Sequence, residues 1–206
     1  MTEMCCYVRQ FLAKPHPLVG RKGPVCPFVP KSLKLDSLYF GLVRTDGPTS
    51  KHLVERAARS FLTRYASLAP TDPKTEVFKA VVLLFPDVPI DKASDVIDAV
   101  QVLLKPEFVA LGLMIGEFHK RNNTSGLRNP SFFPLRTPHP SLAIRRIVPT
   151  DLAFLAVDKY PAGLRVRFLV SYLAQFGKDG SAAAKKAKTE AEEQLKKARA
   201  ELADLS

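Results

Sequence analysis

Val77-Phe78-Lys79-Ala80-Val81-Val82-Leu83-Leu84-Phe85 decides the fold, because a single lysine interrupts an otherwise unbroken apolar run. A strand with one face in water alternates apolar and polar side chains. A run without alternation belongs to a strand buried on both faces, so layers must lie on either side of it. Upstream, Leu38-Tyr39-Phe40-Gly41-Leu42-Val43 reads as a first strand, closed by the turn signal Asp46-Gly47-Pro48. Between the two, Thr49 or Ser50 can cap a helix on which Leu53, Ala57, Phe61 and Tyr65 form one face, with Pro70 and Pro73 as its stop.

Downstream, a turn through Pro86 and Pro89 leads into a helix over residues 91–104. Val96, Val100, Leu103 and Leu104 lie on one side of it, Asp91 complements its dipole, and Pro106 breaks or kinks it. Residues 111–118 read as a third strand and residues 141–148 as a fourth. Gly41, Gly112 and Gly116, inside predicted strands, mark points of close backbone approach. Asp151 sits as a cap before a short helix over residues 152–157. A longer helix follows from Pro161, with Leu164, Phe168, Tyr172 and Phe176 in register and Gly177 as its stop. The order predicts an α+β fold: a mixed sheet of about four strands covered by helices. Residues 1–37, rich in proline, are expected to be an irregular N-terminal segment, and residues 38–177 the core domain. Residues 178–206 read as a hinge and a charged helical appendage, with only Leu195, Leu202 and Leu205 as sizeable apolar groups.

At 206 residues, with 46% hydrophobic and 25% charged, the chain is not collagenous, mucin-like or wholly disordered. No uncharged apolar run reaches the length of roughly 18 residues that a membrane helix needs. Lys+Arg 31 against Asp+Glu 20 leaves +11, which favours an anionic partner: nucleic acid, phosphate, carboxylate or an anionic surface. The last segment, residues 181–206, carries six bases and five acids, so the excess lies on the body. Three cysteines (Cys5, Cys6 and Cys26) lack the spacing of a disulfide framework or a zinc site. No basic-then-apolar leader opens the chain, and a reducing cytoplasm is the expected compartment.

Chemistry concentrates in residues 117–148, E-F-H-K-R-N-N-T-S-G-L-R-N-P-S-F-F-P-L-R-T-P-H-P-S-L-A-I-R-R-I-V. The connection between the two predicted strands is long, and long loops in compact domains are often functional. It sets Arg121, Arg128, Arg136, Arg145 and Arg146 around Phe132 and Phe133, is stiffened by four prolines, and has no acid between Glu117 and Asp151. Such a segment suits an anionic ligand, although a solvated basic loop has the same composition. His119 stands where a strand enters this loop, so its imidazole can ligate a metal or haem iron, act as a base, or simply bond a loop carbonyl. Glu117, two residues earlier, could orient it if the strand persists. Cys26, in Val25-Cys26-Pro27-Phe28, is an alternative thiolate ligand or a buried structural cysteine. Phosphate-loop, dinucleotide, zinc-protease and serine-hydrolase motifs are absent from the sequence.

Cys26-Pro27-Phe28, Gly116-Glu117-Phe118-His119, Gly126-Leu127-Arg128-Asn129-Pro130, Pro134-Leu135-Arg136 and Leu142-Ala143-Ile144-Arg145, in this order, resemble a bacterial and fungal domain family of unknown function. The layout is more distantly similar to the guanitoxin-type haem-dependent N-hydroxylases. That similarity implies haem as cofactor, His119 as its axial ligand, and Arg128, Arg136 and Arg145 on the propionates. Phe132 and Phe133 would cover the porphyrin. In the related pattern proline follows the histidine; here Lys120 does. The expected function is a haem-dependent oxygenase acting on a small nitrogen-containing metabolite. The alternatives are a non-enzymatic binding module for an anionic ligand at residues 119–146, and, ranked last, a nucleic-acid binding protein.

Overall fold

The computed structural model describes residues 2–44, 50–176 and 181–204. In chain order, helix α1 (Thr2–Cys6) continues into a π-helical stretch, Tyr7–Leu12, and is followed by α2 (Val29–Lys34), strand β1 (Leu38–Leu42), α3 (Lys51–Ser67) and β2 (Ala80–Leu84). A π-helical turn, Ser94–Asp98, then runs into α4 (Ala99–Ala110), before β3 (Leu113–Phe118), β4 (Ser141–Arg146), α5 (Leu152–Leu155), α6 (Ala162–Phe176) and α7 (Ala182–Ala203). The fold is α+β, and the sheet is mixed, in the order β1-β2-β4-β3. β1 runs parallel to β2 with Leu38 opposite Ala80, and β2 runs antiparallel to β4 with Ala80 opposite Arg145. The apolar run therefore ends up inside the sheet. Its strand begins only at Ala80, where the Ala80 N–H reaches the Ser37 carbonyl, and residues 76–78 form a 3₁₀ turn. The chain divides into two compact units, Met1–Leu104 with Ile115–Arg146, and Lys105–Met114 with Ile147–Ser206.

In the first unit, period-two alternation sends Leu38, Phe40, Val82, Leu84 and Ala143 to one face, where Met4 and Tyr7 pack on them. On the other face, Gly41 lets α3 approach: a Cβ there would lie 3.1 Å from the Phe61 ring. Ser50 caps α3, accepting from the Leu53 N–H, whereas the turn expected at Asp46-Gly47-Pro48 and the cap candidate Thr49 lie outside the described residues. Lys79, the one interruption of the apolar run, is buried. Its Nζ donates to the Leu68 carbonyl at 3.0 Å, lies 3.4 Å from Glu76, and stands 4.5 Å from the centre of the Tyr65 ring. The N-terminal segment departs from the irregular expectation, since α1 and the π-helical stretch occupy residues 2–12, before the first proline at Pro15.

In the second unit, Phe168, Leu169, Tyr172 and Phe176 of α6 form a core with Ala187, Ala191, Leu195 and Ala198 of α7. The charged tail is therefore not a solvated appendage. Its buried stripe is made of alanines at three- and four-residue spacing, small groups that allow close helix contact yet add little to an apolar count. Buried Arg165 reinforces it, donating to the Tyr160 carbonyl and pairing with Asp158 and Glu201. Gly112 closes α4 in the left-handed region (φ 74°), so the third strand begins at Leu113 rather than at residue 111. Helix α4 also runs through Pro106 instead of ending there. Val102, four residues earlier, whose carbonyl Pro106 cannot bond, is an exposed residue. The stop at Gly177 and the hinge at residues 178–180 lie outside the described residues.

Candidate functional site

His119 follows the last residue of β3 and is fully buried, at 0% exposure. Its Nε2 lies 2.9 Å from Oδ1 of Asp98, whose side chain is 37% exposed. A carboxylate only accepts, so Nε2 carries the hydrogen and Nδ1 is left with its lone pair in the neutral ring. Among the described residues, Nδ1 has no hydrogen-bond partner. An unsatisfied buried polar atom costs about 1–3 kcal/mol, and in a native site it calls for a ligand, an ordered water or a functional reason.

Local geometry explains why Asp98 reaches the ring. Asp98 ends the π-helical turn, and Gln101 lies three residues on, hence on the same helix face. The Gln101 amide donates to the Ile115 carbonyl of β3 at 2.9 Å, which fixes the helix against the strand that delivers His119. Glu117 does not orient the histidine. The strand stops at Phe118, the side-chain alternation that would have aligned residues 117 and 119 is lost, and Glu117 accepts instead from the Thr124 hydroxyl at 3.2 Å.

The loop beyond His119 is folded around Asn122, which is 1% exposed. Its N–H donates to the His119 carbonyl, its amide nitrogen to the Glu117 carbonyl, and its side-chain oxygen accepts from the Thr124 N–H. Its own carbonyl accepts from Nε of Arg136 at 2.9 Å. The Arg136 guanidinium also donates to Asn123 and lies 4.1 Å from the centre of the Phe133 ring, yet the residue remains exposed. Lys120 and Arg121 are exposed in the same turn.

The other expected site residues have different surroundings. Arg128 is exposed, with its Cβ beside Gly20. Arg145 on β4 donates to the Arg146 carbonyl at 2.9 Å and stands 5.9 Å from the Phe28 ring. Phe132 is buried against the N-terminal segment, stacked on His16 with ring centres 4.8 Å apart and near Phe11. Cys26 is partly buried, and its N–H donates to the Leu12 carbonyl at 2.9 Å. The contacts thus join His119 to Arg136 through Asn122, while Arg128, Arg145 and Phe132 each answer to different neighbours. Asp98 and Asn122 were missed by sequence reasoning. Asn122-Asn123-Thr124, an Asx-turn pattern, was a readable signal for the second; nothing in the helix pattern singled out the first.

An α+β chain with a carboxylate-held, fully buried histidine at the mouth of a basic loop is the class that fold and site define. The chain belongs to the family described as Domain of unknown function (DUF6875), which matches residues 1–187. No curated protein and no solved structure matches it, so the distant hydroxylase resemblance has no named relative behind it. Among the described residues, no helix is long and apolar enough to cross a membrane.

Proposed function

We propose that the protein binds haem through His119 and uses it for oxidative chemistry on a small nitrogen-containing metabolite. The observation that carries the reading is the Nδ1 of a buried imidazole that has no partner among the described residues and whose other nitrogen is held by Asp98. Metal-ligating histidines almost always give their second ring N–H to a carboxylate or carbonyl, which fixes the tautomer and raises ligand basicity. Asp98 does this at Nε2 and leaves the Nδ1 lone pair for iron. Among the described residues no group of His, Cys, Asp and Glu side chains could hold a bare ion. Haem brings its own porphyrin nitrogens, so one protein ligand suffices. When bound, haem supplies oxygen activation, and the protein supplies ligand position and local polarity. Arg136, linked to His119 through Asn122, is the arginine whose contacts best support a role on a propionate. The substrate class rests on the resemblance to the N-hydroxylases, and the three free thiols suit a reducing cytoplasm.

Haem titration of the purified protein tests this. A saturable Soret band is expected, lost in His119→Ala and shifted in Asp98→Asn. Slow uptake is expected as well, because the ring has to be uncovered first. No Soret band, or one indifferent to His119→Ala, would refute the proposal. A second reading, an anionic-ligand module without iron, is favoured by the anchored and exposed guanidinium of Arg136. It calls for thermal stabilisation by acetate or phosphate that disappears in Arg136→Ala. Steep loss of nucleic-acid binding as salt rises would instead support the third expectation.

A further inference from the structure

A second concavity lies in the first unit and is lined by none of the residues that bond His119. It has a volume of about 350 Å³ and is lined by Val43, Arg44, Leu53, Arg56, Ala57 and Ser60. Val43 and Arg44 follow the end of β1, and Leu53, Arg56, Ala57 and Ser60 form one face of α3 at three- and four-residue spacing. The cavity thus opens outside the carboxyl ends of the parallel pair β1 and β2, where α/β sheets characteristically receive their ligands.

Its chemistry is cationic on one side and apolar on the other. Arg44 is oriented through Nε by Asp87 at 3.0 Å. Arg56 has no hydrogen-bond or ion-pair partner among the described residues. On the neighbouring turn Arg59 is held by Glu55 at 3.0 Å, so the acid within reach on α3 is already engaged. Ser60 gives its hydroxyl hydrogen to the Ala57 carbonyl at 2.8 Å, which leaves its oxygen lone pairs. Val43, Leu53 and Ala57 supply the apolar wall.

We infer that this cavity is a binding site for a small phosphate monoester with an apolar body. Two guanidinium groups match a dianionic phosphate better than a monoanionic carboxylate, and each can present paired N–H groups to phosphate oxygens. The apolar wall then covers the esterified group. This site is independent of the haem reading, since none of its residues contacts His119, Asp98 or Asn122 in the bonds described above.

Titration calorimetry with phenyl phosphate, inorganic phosphate and benzoate on the full chain tests the inference. Phenyl phosphate should bind most tightly, and benzoate at least tenfold more weakly. Arg56→Ala should weaken phenyl phosphate at least tenfold, and Leu53→Ser should remove its advantage over inorganic phosphate. His119→Ala and Arg136→Ala should leave these affinities unchanged, which separates failure here from failure of the haem proposal. Arg56 is exposed and Leu53 half-buried on a capped helix, so folding of the variants is checked by an unchanged circular dichroism spectrum. Binding that persists in both Arg56→Ala and Arg44→Ala, binding that is lost instead in Arg136→Ala, or no binding of phenyl phosphate would overturn it.

Discussion

Asp98→Ala removes the hydrogen bond that holds the His119 ring and leaves both imidazole nitrogens without a partner among the described residues, in a site with 0% exposure. A hydrogen bond to a charged group contributes about 1.5–3 kcal/mol to stability. The histidine end is fully desolvated, which favours the upper part of that range, while the carboxylate is 37% exposed and shielded by water, which favours the lower. A loss of about 1.5–2 kcal/mol follows, somewhat more than tenfold in the unfolding constant. Asp98→Asn keeps a carbonyl oxygen for the Nε2–H and should lose less than about 1 kcal/mol. The assay is urea unfolding at pH 7, read from the circular dichroism midpoint, with His119→Leu and the double variant completing a cycle. His119→Leu removes the unsatisfied nitrogen together with the bond, so it should destabilise less than Asp98→Ala. If Asp98→Ala and wild type unfold at the same midpoint, or the two single changes add without coupling, the pair is not a desolvated hydrogen bond and the site loses its foundation.

Leu195→Asp places a charge in the α6–α7 core and should destabilise the second unit by at least about 3 kcal/mol, seen as lost hydrogen-exchange protection over α6 and α7. A free appendage would show no such loss. Alkaline pH should weaken the fold through its phenols: burial, with Asp151 and Glu190 adding to it, pushes Tyr172 up to about 12, and burial raises Tyr7 and Tyr65 as well. A raised folded pKa favours the neutral phenol, so this stability is intact below the ordinary tyrosine value near 10 and is lost as pH climbs through about 12 at Tyr172. Phenolate absorbance followed against pH should show late-titrating tyrosines. Tyr172→Phe should flatten the fall of the denaturation midpoint between roughly pH 9 and pH 11.5, and an equal fall in both proteins would count against the assignment.

Much of the scaffold was legible because it obeys periodicity. Residues 80–84 of the unalternating run did lie inside the sheet, Leu38–Leu42 did pair beside them, and α6 kept the Leu164, Phe168, Tyr172 and Phe176 register. What periodicity could not show were features set by backbone exceptions and by small residues. The left-handed Gly112 shortened one strand, a π-helical turn preceded α4, and alanines flanking the single Leu195 built the buried face of α7. At the site, His119 was recognisable from its place at a strand end. Its carboxylate partner was not, because Asp98 is separated from it by a helix and a strand, and only the fold brings the two within 2.9 Å.

The loop from Lys120 to Pro140 changes meaning once its bonds are known. Composition alone made it a cluster of guanidinium groups waiting for an anion, yet its arginines are divided between bracing and display. Arg136 does both: Nε closes the Asn122 turn, the ring of Phe133 supports the plane, and the residue still faces solvent. Phe132 is purely a brace, stacked on His16, while the Gly126 N–H is tied to the Phe132 carbonyl. Such a loop is held by contacts at both ends, so the four prolines are not the only source of its stiffness. Because the imidazole is buried, any ligand reaching Nδ1 has to displace ordered structure. The energy that this costs is what would let a site of this kind discriminate: only a guest that forms a strong bond to the nitrogen could hold it open.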